Sequence, residues 1–282
     1  MANKSFSIFL QDPPNTVSDG DRLIIEIGKS HAVCMHISHA GHAVMAFELF
    51  TFPEAELMSI DRLFTDISTG SQLLNNKFDS VDVFINNEFC VAVPAQKFEE
   101  SLATDFLHVA HGAMDNMVVM HSKIGPNASL VNVFGVPVNL IKELENRFRH
   151  FHVHHTWANI LKILDNRNYQ HVPCFMYVQF YNTYFVAVVI KNGKLQFIQN
   201  FIYDSPEDVL YQLLNITNQL NLDATELQLE VCGIIDANFK LFRELTSYFK
   251  NIVSNKPSIA NVLINVEEYP GHYFSPFFNL AI

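Results

Sequence analysis

Paired cysteines are missing from this sequence. Its four cysteines stand far apart, and no two have the C-x-x-C spacing of zinc-binding or redox-active pairs. Each lies in an apolar run typical of a β-strand, and free cysteine prefers the protein interior. The sequence therefore predicts four buried free thiols, at Cys34, Cys90, Cys174 and Cys232.

Long uninterrupted apolar runs are missing as well. Residues 175–190 are strongly apolar, but Gln179, Asn182 and Thr183 interrupt them, and a membrane helix needs roughly 20 apolar residues. The first residues hold one lysine and an apolar stretch too brief for a signal peptide. We therefore expect no membrane span and a cytoplasmic location.

Basic residues are in the minority. The chain has 18 lysine and arginine residues against 29 acidic residues, which gives a formal net charge of −11. A surface of this sign repels a phosphate backbone. We therefore expect no nucleic-acid partner.

The composition is otherwise that of a globular protein. Apolar residues make up 49% of the 282 residues, 25 residues are phenylalanine, and 17% are charged. A chain of this length forms one large domain or two of ordinary size, and either buries a substantial core. We expect it to fold without disulfide bonds or a structural metal.

An internal repeat organises the chain. Residues 23–67 align without a gap to residues 176–220, an offset of 153 that places Pro53 on Pro206 and Glu54 on Glu207. Each copy contains three β-rich runs, then Pro-Glu opening a helical pattern, then another apolar strand, and Asn192-Gly193 is a strong hairpin signal. The pattern predicts a duplicated β-β-β-α-β unit, although chance similarity between two ordinary segments is the alternative.

The rest of the chain is assigned around these copies. Between them, the sequence predicts helices near residues 98–108, 137–148 and 156–164, and strands near residues 116–121 and 129–134. We assign residues 1–150 to a first lobe with a connecting subdomain and residues 151–282 to a second lobe.

Two such units in tandem resemble the actin-like ATPase superfamily, which has a ribonuclease H-like fold and includes sugar kinases, Hsp70 chaperones and pilus-assembly proteins. The whole chain, including its ending at residues 268–278, also resembles an uncharacterised bacterial family of this fold. The resemblance implies an α/β protein with mixed sheets flanked by helices. For that family it implies no activity.

The nucleotide motifs of the superfamily are only partly present. Active members carry Asp-x-Gly at the first hairpin turn, for metal-bound water and phosphate, where this chain has Glu26-Ile-Gly28-Lys29-Ser30. The equivalent turn of the second copy begins at Gln179 and has neither a carboxylate nor a glycine, and the adenosine-binding segment keeps one glycine. The candidate nucleotide-binding residues are Glu26, Gly28, Lys29, Ser30 and Gly233.

Histidines at alternate positions suggest a possible metal site. His150, His152 and His154 share one face of a predicted strand. No cysteine or carboxylate accompanies them at ligand spacing, and Phe151 and Val153 fit an edge strand with a polar outer face. We favour the edge strand and expect no metal.

Two further patterns have alternative interpretations. Glu26, Glu48 and Asp82 could form a nuclease-like carboxylate cluster, but we expect Glu48 and Asp82 to point outward from their strands. Five aromatic residues crowd the first hairpin of the second copy and indicate either a partner surface or, as we favour, a buried hairpin. They are Tyr177, Phe180, Tyr181, Tyr184 and Phe185.

These observations favour a catalytically degenerate actin-like protein that acts as a binding or scaffold module for an unidentified protein partner. This hypothesis names no catalytic residue and no cofactor. The alternative is an ATPase or kinase-like protein that binds ATP and Mg²⁺ through divergent motifs. The sequence does not predict an oligomeric state.

Overall fold

The computed structural model describes the backbone of most of the chain, and side chains within it except at residues 60–62. The described residues are 2–10, 17–40, 42–53, 60–125, 128–166, 172–235, 240–255 and 262–281. Contacts divide the chain into two compact units. Unit 1 comprises Met1–Asn166, Ile259–Asn265 and Leu280–Ile282, and unit 2 comprises Arg167–Ser258 and Val266–Asn279.

Unit 1 is built on a mixed six-stranded sheet in the order β1-β4-β3-β2-β5-β9. Strands β1 to β4 pair in antiparallel fashion, whereas β2, β5 and β9 are parallel. The sheet strands and the helix between β4 and β5 are β1 (Asn3–Phe9), β2 (Arg22–Gly28), β3 (His31–Ile37), β4 (Val44–Thr51), α1 (Ile60–Gly70) and β5 (Ser80–Asn86). Strand β3 is buried along its whole length, as expected where both faces of a sheet are covered.

A smaller sheet follows in the order β6-β8-β7. Its elements and those that end this part of unit 1 are β6 (Cys90–Pro94), α2 (Ala103–His111), β7 (Met117–Ile124), β8 (Leu130–Pro137), α3 (Val138–Arg147), β9 (Phe151–His155) and α4 (Thr156–Asn166). Helix α2 buries Ala103 and Leu107 with Val131 and Val133 of this sheet. Helix α4 contacts β5, β7 and β9.

The division between the units differs from the division after residue 150 that we expected. Strand β9 pairs with β5 in parallel fashion, and α4 follows it, so residues 151–166 lie in unit 1. The single tryptophan, Trp157 in α4, is 5% exposed and sets its ring edge against the imidazole of His155. This packing holds the beginning of α4 in unit 1.

Unit 2 is a five-stranded mixed sheet in the order β12-β11-β10-β13-β14. Its elements are β10 (Cys174–Phe180), β11 (Tyr184–Lys191), β12 (Lys194–Ile202), α5 (Pro206–Gln219), β13 (Gln228–Gly233), α6 (Lys240–Tyr248), β14 (Asn251–Ser254) and α7 (Ser275–Phe278). Asn192 and Gly193 both have positive φ in the β11–β12 hairpin, as the sequence predicts. Val209, Leu213 and Ile216 of α5 are buried in the core of the unit.

The two units repeat one topology. Strands β4-β3-β2-β5 of unit 1 and β12-β11-β10-β13 of unit 2 have the same order and the same directions, and a helix precedes the last strand in each. The helical pattern after Pro53-Glu54 comes from Leu57, Ile60, Phe64 and Ile67. Phe64 and Ile67 of α1 are buried, whereas Leu57 and the side chain of Ile60 lie outside the described residues. The β-β-β-α-β unit is therefore present twice, and duplication as its origin stays a prediction.

Burial confirms the expected buried hairpin of unit 2 and three of the four expected buried thiols. All five aromatic residues of the first hairpin of unit 2 are 0% exposed, so the hairpin is buried and is not a partner surface. Cys34, Cys90 and Cys232 are buried free thiols, and burial raises the pKa of Cys34 and of Cys90. Cys174 is partly exposed, because it begins β10 and only the following residues are covered.

Among the described residues, no helix combines the length and the apolar character required to cross a membrane.

Candidate functional site

The β2–β3 turn of unit 1 contains four of the five candidate nucleotide-binding residues. Gly28 ends β2 and pairs with Asn86 of β5. Lys29 is 7% exposed and its Nζ lies 3.0 Å from Glu88 Oε1. Ser30 is buried as well, and its carbonyl oxygen accepts a hydrogen bond from Phe52 N. The structure therefore brings these residues together in a turn whose side chains lie against the protein.

Glu26 lies in β2 and is 0% exposed. Its Oε1 accepts a hydrogen bond from Asn86 Nδ2 at 2.8 Å and another from Thr156 Oγ1 at 3.2 Å. The Nε2 of His31 lies 3.5 Å from Glu26 Oε2. Side chains from β3, β5 and α4 therefore enclose this carboxylate on three sides.

The enclosing residues were not identified from the sequence. Asn86 is 60 residues and Thr156 is 130 residues from Glu26 along the chain. A weak local signal exists, because a polar residue at the end of an apolar strand such as β5 marks the sheet edge where ligands bind in α/β folds. Nothing local connects Thr156 with Glu26.

Gly233, the fifth candidate, lies at the end of β13 in unit 2 with φ of +94°. A Cβ at this position would lie 2.1 Å from the carbonyl oxygen of Phe180 in β10. The Gly233 N–H donates to His272 O at 2.9 Å, and the Ile234 N–H donates to Phe180 O at 3.1 Å. Backbone geometry alone therefore requires glycine here, and its role in nucleotide binding stays a prediction.

Gln179 of β10 stands where unit 1 has Glu26 in the aligned repeat. It is 2% exposed and lies between two tyrosines. Tyr177 OH donates to Gln179 Oε1 at 2.8 Å, and Gln179 Nε2 donates to Tyr181 OH at 2.5 Å. Tyr177 of β10 and Tyr181, the residue after this strand, therefore hold the amide in place.

The histidine cluster lies on the edge strand β9 of the six-stranded sheet, which confirms the edge-strand interpretation. The side chain of His152 is 71% exposed and that of His154 is 42% exposed. His154 Nε2 lies 3.2 Å from Asp82 Oδ1, and His152 Nδ1 lies 3.8 Å from the same oxygen. Within the described ranges, no group of three or more histidine, cysteine or acidic side chains is arranged to hold a metal ion.

The expected outward orientation of Glu48 is wrong. Glu48 is 0% exposed, because the loop after α1 and strand β1 cover it. Its carboxylate accepts hydrogen bonds from Ser71 Oγ at 2.5 Å and from Gln72 N at 3.0 Å, and forms an ion pair with Lys4 at 2.8 Å. Strand β1, which the sequence did not predict, supplies Lys4.

Asp82 is also less exposed than expected, with a side-chain exposure of 15%. Burial alone would raise the pKa of this carboxyl, but the hydrogen bond from His154 and the charge interactions with His154 and Arg22 outweigh burial and lower it. Glu26, Glu48 and Asp82 thus have three separate sets of partners. They do not share the partners that a common catalytic cluster would require.

Two β-β-β-α-β units with mixed sheets are the arrangement of the actin-like ATPase fold. The chain belongs to the family described as protein of unknown function DUF3822, whose model matches residues 15–252. No curated protein matches the chain.

Two of the solved structures that are similar to this chain illustrate the fold. One is a protein of unknown function with an actin-like ATPase fold from Bacteroides thetaiotaomicron VPI-5482, with a TM-score of 0.75 and 16% identity over 84% of this chain and 91% of the other. The second is the PilM–PilN type IV pilus biogenesis complex, with a TM-score of 0.62 and 13% identity over 92% of this chain and 97% of the other. Both confirm the fold that the sequence predicts.

Proposed function

We propose that this protein has lost the hydrolytic activity of its fold and acts by binding a partner protein. The observation that carries this proposal is the burial of Glu26 among Asn86, Thr156 and His31. In active members, the resemblance implies a carboxylate at this turn that reaches metal-bound water.

Freeing Glu26 for such a role would be costly. A carboxylate that swings outward leaves Asn86 Nδ2 without this acceptor, whereas Thr156 Oγ1 keeps the carbonyl oxygen of Ile85 at 3.2 Å. Each buried donor left unsatisfied costs about 1–3 kcal/mol. Binding of a nucleotide would have to supply this free energy in addition to its other costs.

The ammonium group of Lys29 already forms an ion pair with Glu88. A lysine that binds phosphate must direct its ammonium group at the ligand, whereas Lys29 Nζ contacts Glu88 Oε1 and the side chain is 8% exposed. An acidic residue beside the turn repels phosphate as well. Both features support a turn that maintains the fold and does not bind a triphosphate.

One structural neighbour supports the proposed binding of a partner protein. The PilM–PilN complex shares this fold, and its name describes an assembly of two proteins in pilus biogenesis. We extend to this chain only the general role of partner binding.

The first experiment is thermal unfolding of the purified full chain with and without millimolar ATP and Mg²⁺. A ligand at 100 times its Kd stabilises a protein by about 2.7 kcal/mol, which is easily measured as a higher Tm. We expect no Mg²⁺-dependent shift and no ATP hydrolysis above the background rate.

A Mg²⁺-dependent rise in Tm, or hydrolysis at an enzyme-like rate, would overturn the proposal in favour of the ATP-binding alternative. In that case Glu26→Gln and Lys29→Met should abolish the rise. The control is Lys142→Met, which removes one exposed positive charge on α3 of the same unit. If Lys142→Met abolishes the rise as well, the effect is nonspecific and the ATP-binding alternative loses its support.

A further inference from the structure

Unit 1 contains a half-open cavity of about 440 Å³ on the face of its six-stranded sheet. Strands β2, β5, β7 and β9, helix α4 and Leu280 line it. This volume lies within the roughly 300–1,000 Å³ of small-molecule sites. The cavity includes Arg22 and Asp82, near the amino ends of β2 and β5, whereas Glu26 lies near the carboxyl end of β2.

The floor of the cavity is a polar network with its charges compensated. Arg22 Nη1 donates to Asp82 Oδ2 at 3.2 Å, and Arg22 Nη2 lies 3.5 Å from the carbonyl oxygen of Ala281. His154 Nε2 lies 3.2 Å from Asp82 Oδ1. Because Asp82 is ionised and can only accept, His154 Nε2 must donate to it. Arg22 and the N–H of His154 therefore compensate the negative charge of Asp82 and weaken its repulsion of an anionic ligand.

The wall adds two more cations. Lys123 of β7 and Lys162 of α4 line the cavity and are exposed, as is Asp165 one helical turn beyond Lys162. Arg22, Lys123 and Lys162 against Asp82 and Asp165 give the lining a net charge of at least +1. The whole chain carries −11. The cavity lining thus has a positive net charge in a protein whose total charge is negative.

A donor and an apolar wall complete the lining. Ser122 Oγ is a buried atom that makes no hydrogen bond to any residue in the described part of the chain. A buried hydroxyl of this kind favours a ligand that accepts a hydrogen bond. Phe84 and Leu280 supply apolar surface beside it.

We propose that this cavity binds a small organic anion, a carboxylate or a phosphate monoester, with Lys123 and Lys162 as the cations that hold the anionic group and Phe84 beside its apolar part. Exposed lysines give such a site modest strength, since a single exposed ion pair contributes about a twofold to fivefold change in affinity. The site is independent of the proposed loss of hydrolysis, because none of its residues belongs to the β2–β3 turn.

The test is a calorimetric titration of the full chain with three probes of similar shape: benzoate, phenyl phosphate and benzyl alcohol. We expect one or both anions to bind and the uncharged alcohol not to bind. Stronger binding of benzoate or of phenyl phosphate identifies the carboxylate or the phosphate as the natural group. Absence of binding by both anions overturns the proposal.

Variants connect binding with the cavity. Lys123→Met and Lys162→Met should each weaken binding of the anion about twofold to fivefold, and Asp165→Asn should strengthen it because a repelling charge is removed. Lys142→Met, with the same loss of charge on α3, should leave the affinity unchanged. Since Lys123, Lys162 and Asp165 are exposed, these variants should fold. Equal affinities in all four variants would place the anion elsewhere and overturn the proposal.

Discussion

Asp21, immediately before β2, is a carboxylate whose charge the fold stabilises. It accepts hydrogen bonds from Ser18 N at 2.9 Å, His39 N at 2.8 Å and the ring of His36 at 2.8 Å. Burial alone would raise the pKa of this carboxyl, but the backbone donors and His36 outweigh it and hold the pKa below its ordinary value of 3.8. Asp21 therefore stabilises the fold above about pH 4, and this contribution is lost as the pH falls through the lowered pKa.

Asp21→Asn should lower the free energy of unfolding by about 1–3 kcal/mol at neutral pH, because charged acceptors are replaced by a weaker one. The loss should shrink as the pH falls below about 4, because the unfolded chain binds a proton at this carboxyl first and folded Asp21 follows at its lowered pKa. Urea unfolding at pH 7 and at pH 3 measures both values. Asp19→Asn, at an exposed neighbour, is the control, and an equal loss at both pH values for Asp21→Asn would contradict the prediction.

Gly233 and Gly193 distinguish two costs of replacing glycine. Both have positive φ, +94° and +69°, but a Cβ at Gly233 would overlap the Phe180 backbone, whereas nothing lies within 4 Å at Gly193. Gly193→Ala should cost about 1–2 kcal/mol from backbone conformation alone. Gly233→Ala should cost about 2–3 kcal/mol more, since the backbone of β10 has to move. Urea unfolding midpoints give the comparison, and equal losses would show that β10 and β13 can separate without cost.

At this scale the sequence predicts which residues are candidates but not what surrounds them. Glu26, Gly28 and Lys29 are identified as candidates from a short sequence motif. Their partners Asn86, Thr156 and Glu88 come from other segments, and only the folded sheet brings them together. The burial of Glu48 was missed for the same reason, because its partners Lys4 and Ser71 lie far along the chain.

Helix α5 begins with a complete capping box, which makes its first turn a defined source of stability. Ser205 Oγ accepts a hydrogen bond from Asp208 N, and the Asp208 side chain accepts from Ser205 N. Pro206 occupies the first helical position, where a missing N–H costs nothing. The Pro-Glu signal in the sequence marks this start correctly.

Ser205→Ala should lower the free energy of unfolding by about 1 kcal/mol, because the N–H of Asp208 loses its acceptor. Ser247→Ala is the matched control, since Ser247 lies in the last turn of α6 and its hydroxyl bonds to the carbonyl of Arg243 within the helix. Chemical unfolding followed by circular dichroism measures both. A smaller loss for Ser205→Ala than for Ser247→Ala would show that the cap does not stabilise α5.

Elements with strong periodicity were predicted well, whereas the edge strands β1 and β14 were not. The apolar run Tyr184–Lys191 of the second copy predicts a strand, and β11 has these bounds; helix α4 begins at the predicted Thr156. Strand β1 was missed because most of its residues are exposed and its pattern is weak. Strand β14 has only four residues, too few to show an alternation of apolar and polar side chains.

For the whole molecule, the repeat predicts the twofold occurrence of one topology, but the path of the chain between units was not predictable. Leu280 follows α7 of unit 2 closely in the chain but belongs to unit 1. Apolar periodicity is a local property, so it cannot predict this assignment. The same limit applies to the cavity, whose lining comes from β2, β5, β7, β9, α4 and the end of the chain. Composition likewise gives the total charge of −11 and conceals the local excess of cations.

Trp157 is an intrinsic fluorescent probe of unit 1. It is the only indole in the chain, it is buried near the start of α4, and Ala158 and Asn159 beside it line the cavity. Its fluorescence therefore reports on unit 1 alone, without an attached dye, whatever the tyrosines of unit 2 do. Quenching or a change in emission wavelength can follow occupancy of the cavity, and a red shift can time the exposure of α4 to water.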